Sequence, residues 1–132
     1  DLLQAQRVDF TLAFRRLSDL AAGDDGAMLR SLFTDPSTLN AWLARWQTRS
    51  APESALAQVR AEQMRLANPL HIPRNHQVEA ALSAAVEQGD QGPFERLLAV
   101  LQQPFDARPG SVAYEQPAPA EAMAGYRTFC GT

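Results

Sequence analysis

Lysine is absent from this sequence, and all 12 basic residues are arginine. With a formal net charge of −3 and no arginine cluster on any face, the chain carries no electrostatic footprint for nucleic acid. The arginine-only usage reads as a compositional bias toward Ala and Arg. Cysteine is nearly absent too. A single residue, Cys130, excludes an internal disulfide framework, and only two histidines accompany it, so a structural zinc site lacks ligands. The lone thiol fits a reducing cytoplasm. No apolar run approaches the roughly 20 residues needed to span a bilayer, so no membrane partner is expected. No secretory signal is visible, and Asp1 in place of an initiator Met suggests a cut from something longer. The 132 residues suit one domain or a piece of one.

What is present is helical periodicity. Phe10, Phe14, Leu17 and Ala21 repeat at spacings of four, three and four, which predicts a helical core face. Asp9 either caps a fresh helix there or lies on the polar side of one that began before Leu2. The run Gly23-Asp24-Asp25-Gly26 predicts a stop, followed by a short helix from about Ala27 to Phe33. Asp35-Pro36 reads as cap plus first helical residue, with Leu39, Trp42, Leu43 and Trp46 as the inward stripe. Ser50-Ala-Pro-Glu53 has the pattern of a capping box and predicts a helix to Ala67. Its inward side is expected at Leu56, Val59, Gln63 and Leu66, with Arg60, Glu62 and Arg65 solvated. Val78, Ala81, Leu82, Ala85 and Val86 define a further helix closed by Gly89. Gly92-Pro93 opens another, with Phe94, Leu97, Leu98 and Leu101 inward.

Between these helices lies the most distinctive stretch, Asn68-Pro69-Leu70-His71-Ile72-Pro73-Arg74-Asn75-His76. Pro69 excludes Asn68 from the α region and ends the arriving helix, while Pro73 removes another backbone donor. The result is a stiff corner rich in side-chain donors, suited to structural hydrogen bonding or to contact with another part of a larger protein. Arg74, Asn75 and Glu79 are candidates for a polar network at the next helix start, with Asn75 as its cap. His71 and His76 do not share a helical face as metal ligands would, and no phosphate loop or nucleophile motif occurs. From Pro104 onward Pro104, Pro109, Pro117 and Pro119 break every period, and Phe105, Tyr114, Tyr126 and Phe129 suggest a tail laid across another surface. The expected fold is all-α: an irregular bundle of five to six short helices over residues 1–103, then an extended Pro-rich tail over 104–132 carrying Cys130. That thiol, close to the end of the sequence, is either a redox-accessible group or one without a role.

The corner NPLHIPRNH (68–76), the following Val78-Glu79-Ala80-Ala81-Leu82, the Gly89-Asp90 turn, Phe94-Glu95-Arg96-Leu97-Leu98 and the closing YRTFCGT (126–132) together resemble the C-terminal part of the selenoprotein O family, whose bacterial members are called YdiU. Asp9-Phe10-Thr11 and Phe14-Arg15-Arg16-Leu17 resemble the segment preceding it. The resemblance implies a parent with a protein-kinase-like fold that transfers AMP from ATP, with Mg or Mn, to Ser, Thr or Tyr hydroxyls of protein substrates. It places the nucleotide-binding and catalytic residues upstream, so no catalytic, cofactor-binding or metal residue is expected in this chain. It also implies that Cys130 stands where the family has cysteine or selenocysteine, pairing in bacterial members with a cysteine of the kinase-like domain. Asn68, Arg74, Asn75 and His76 are then candidates for an interdomain or structural polar corner. A different class remains open from the residues alone: an independent helical module using that corner to bind a protein.

Overall fold

The computed structural model describes residues 2–51 and 56–119, all helix, turn and loop with no strand among them. They fall into two compact units, Asp1–Leu70 and His71–Thr132. No helix among the described residues is long and apolar enough to cross a membrane.

The first unit holds α1 (Leu2–Ala5), α2 (Phe10–Ala21), α3 (Ala27–Arg30), α4 (Pro36–Ser50) and α5 (Ala57–Ala67). Arg7, at φ 54, turns the chain out of α1. Asp9 then takes an extended conformation, and its Oδ1 accepts the Leu12 amide at 2.8 Å. Of the two roles open to it, Asp9 is a cap, satisfying one of the donors a helix start leaves orphaned. Asp35 does the same for α4, accepting from the Ser37 amide at 2.9 Å with Pro36 as first helical residue. Gln6 fixes α1 against this start: its amide nitrogen donates to the Asp35 carbonyl at 3.0 Å and its amide oxygen accepts the Asp35 N–H at 2.8 Å. The core consists of Leu17, Leu29, Phe33, Leu39 and Leu43. Trp42 and Trp46 pack partly buried against it, stacked with ring centroids 6.3 Å apart.

Several expectations for this unit fail. Phe10 belongs to the predicted stripe but is 66% exposed, while Leu12 and Ala13 are buried in its place. The face of α5 is also turned: Leu56, Val59, Gln63 and Leu66 are exposed, and the buried residue is Ala61, with Met64 packed partly against the core. Arg60 and Arg65 are half-buried rather than solvated, Arg65 reaching Asp19 at 3.1 Å. Packing of α5 alongside α2 accounts for this, because a small residue such as Ala61 lets two helices lie close together. Nor does Ser50 open α5. It is the last residue of α4, and its hydroxyl donates to the Trp46 carbonyl at 2.8 Å. Pro52 and Glu53 of the supposed capping box lie outside the described residues.

The second unit pairs α6 (Asn75–Gln88) with α7 (Gly92–Leu101) and adds one helical turn, α8 (Val112–Glu115), inside the stretch that reads as extended. Gly89 ends α6 at φ 66, a left-handed conformation that favours glycine. The Asp90 carboxylate accepts the Gly92 amide at 2.9 Å as α7 begins. Ala81 and Leu97 are buried as the pattern predicts, whereas Leu82, Val86, Phe94 and Leu98 are exposed. Tyr126, Phe129 and Cys130 lie outside the described residues.

Candidate functional site

The proline corner straddles the boundary between the units, so its two ends are built separately. On the first unit, Pro69 stops α5 after Ala67, and Asn68 becomes extended at φ −120 and ψ 100. The Asn68 backbone and side-chain amides both donate to the Met64 carbonyl, at 3.0 and 2.7 Å. This satisfies a carbonyl that the end of the helix would otherwise leave open. The Asn68 carbonyl in turn accepts a hydrogen bond from Arg15 Nη1 at 3.4 Å. Arg15 is buried, so a charge on α2 is held against the backbone at the end of α5. Asn68 is therefore a structural cap whose carbonyl positions an arginine.

On the second unit, His71 is 1% exposed, and its backbone N–H donates to the Pro104 carbonyl at 2.9 Å. The residue expected to stop the helix before the tail thus also holds the start of the corner. Arg74 is buried and takes the cap position of α6 in an extended conformation, its carbonyl accepting from the Gln77 and Val78 amides at 2.9 and 3.0 Å. Asn75 is the first helical residue, not the cap. With Arg74 already providing the first accepting carbonyl, the helix begins one position earlier than the Asn preference suggests. Asn75 and Glu79 are exposed and His76 is half-buried, so Arg74 is the buried polar member of the expected trio. Further along α6, the Gln77 side chain donates to the Ala113 carbonyl at 2.7 Å, joining α6 to α8.

The Asn68 side chain and the backbone groups of His71 and Arg74 thus bond to backbone partners. No group of three or more His, Cys, Asp or Glu side chains able to hold a metal occurs among the described residues. At the start of α4, the Ser37 hydroxyl and then the Ser37 amide, both donating to Asp35, hold its carboxyl below the usual value. Arg15 is the contributor that sequence reasoning missed. Only its place beside Leu12 and Ser18 on the face of α2 opposite the predicted stripe could have marked it, and that face is not apolar by pattern.

No protein-family model matches the chain. Curated relatives match it along nearly its whole length. A protein named "Protein nucleotidyltransferase YdiU" from Bradyrhizobium sp. (strain BTAi1) is 51% identical over 133 residues, covering 100% of this chain and 27% of the relative. The protein of the same name from Chromobacterium violaceum is 51% identical over 131 residues, covering 99% and 27%. That from Rhizobium johnstonii is 50% identical over 134 residues, covering 99% and 26%. The chain spans about a quarter of the length of these relatives and matches their C-terminal part.

Proposed function

Because the chain belongs to the YdiU family of protein nucleotidyltransferases, as its C-terminal region, we propose that the parent transfers AMP from ATP to Ser, Thr or Tyr hydroxyls of other proteins, and that this region supports the transfer without catalysing it. The observation that carries the proposal is identity at about half of all positions along essentially the entire chain. ATP with Mg or Mn is bound by the kinase-like domain upstream. That domain is the partner of the region described here, and the parent works in the cytoplasm. The local geometry is consistent with a supporting role. Asn68 caps a helix, Arg74 occupies the cap position of another, and Arg15 donates to a backbone carbonyl. The test is to incubate the full-length parent with ATP and Mg or Mn and to search for AMP adducts on itself or on added protein by mass spectrometry. An adduct on a hydroxyl side chain is expected, and its absence with either metal overturns the proposal.

Cys130 is the regulatory element of this proposal, on the strength of the YRTFCGT motif that carries it. Oxidation joins its sulfur to that of a cysteine in the kinase-like domain. The two thiols give up two protons and two electrons to an external oxidant, and the tail is thereby tied down. Non-reducing peptide mapping of the oxidised parent should recover the Cys130 peptide linked to an upstream peptide. Recovery of Cys130 only as a free thiol after oxidation contradicts the regulatory role.

A further inference from the structure

A groove of about 470 Å³ opens on the first unit between α1, α2 and α4, walled by Leu2 and Leu3 on one side and by Phe14, Phe33 and Trp42 on the others. Among the described residues Arg45 is the single charged one in its lining, so an occupant must present mainly apolar groups. Phe10 also lines it, with its ring 4.6 Å from that of Phe14. Phe10 falls in register with a core stripe yet is 66% exposed, as expected where one wall of a core is missing. We propose that this groove is the seat of an apolar segment from the upstream part of the same polypeptide.

Two observations select that occupant over a second copy. First, the matched region is the C-terminal part of the relatives, so about three quarters of their length precedes the residue aligned with Asp1. Second, that polypeptide enters at α1, which is itself a wall of the groove and is pinned to the start of α4 through both sides of the Gln6 amide. A segment joined there by a short connection sees the groove at an effective concentration in the millimolar range, which a second molecule in dilute solution does not match. A carboxylate or carbonyl on the docking segment would meet Arg45. The inference rests on the family assignment, which makes this chain part of a longer one.

The test uses the full-length parent with a photoreactive benzoyl-phenylalanine in place of Phe10. Irradiation should yield a product of monomer mass, with the cross-linked peptide mapping upstream of Asp1. A cross-link to a second copy, a cross-link confined to residues 1–132, or quenching by solvent alone overturns the proposal. In parallel, Phe10→Asp in the full-length parent should shorten the half-life against protease at least tenfold, and an unchanged half-life overturns it as well. AMP transfer is measured on the unmodified parent, so a failed docking proposal with intact transfer is distinguishable from failure of the functional proposal itself.

Discussion

Exchanging the two sides of α5 by mutation separates the observed packing from the one its hydrophobic pattern suggests. Ala61 is 1% exposed and lies on the buried side of α5, whereas Val59 is 53% exposed on the other. Ala61→Leu adds an isopropyl group where no space is open, and overpacking of this kind costs ~1–3 kcal/mol. The unit concerned is Asp1–Leu70, and for domains of that size each kcal/mol moves Tm by about 4–8 °C, so a fall on the order of 10 °C is expected. Val59→Ser changes a side chain that is more than half exposed and should stay within about 0.5 kcal/mol. The assay is thermal and urea unfolding, each followed by tryptophan fluorescence. The chain has two tryptophans, Trp42 and Trp46, both on α4, so the signal reports the first unit. A silent Ala61→Leu together with a loss above about 1 kcal/mol for Val59→Ser would show that α5 is rotated from the position described and would refute the reasoning.

Other expectations follow from single residues. Asp35 has its folded-state carboxyl held below the usual value by Ser37, so it contributes stability that is present above the unfolded value of 3.8 and lost as pH falls through the lowered folded one. The difference in urea midpoint between the unsubstituted chain and Asp35→Asn should therefore shrink as pH drops below 3.8, and a constant difference contradicts the cap. At Gly89, φ is 66 and no atom beyond its own chain neighbours lies within 4 Å of the place a Cβ would take, so Gly89→Ala meets conformational strain but no clash. A loss of about 1 kcal/mol is expected, with Gly89→Asn milder, measured by thermal melting followed by circular dichroism. Equal losses for the two substitutions would argue against a left-handed cap.

Several stops and starts of the helices were legible because they are written in local chemistry. Asp35-Pro36, Gly89 and Gly92-Pro93 act through backbone geometry and neighbouring donors, and each stands where the sequence puts it. Which face turns inward was less legible. Leu56, Val59 and Leu66 outweigh Ala61 on any hydrophobic scale, yet the close approach of α2 selects the small residue. A hydrophobic stripe also records burial against any part of the polypeptide, including the three quarters of the relatives' length beyond this chain. Phe10 is the same case on α2. Ser50 misled for a different reason, since its hydroxyl serves equally well to cap the next helix or to bond the carbonyl four residues back, and only the fold chooses. At the corner, proline punctuation was readable and side-chain roles were not. Arg15 reaches Asn68 across 53 positions, a pairing that no local pattern encodes.

The most direct test of a supporting, non-catalytic region is a side-by-side labelling assay with ATP and Mg or Mn, using the full-length parent and the purified 132-residue chain. AMP should be incorporated into protein hydroxyls by the full-length parent and not by the 132-residue chain. Incorporation by the chain alone, or none by the parent, contradicts that role.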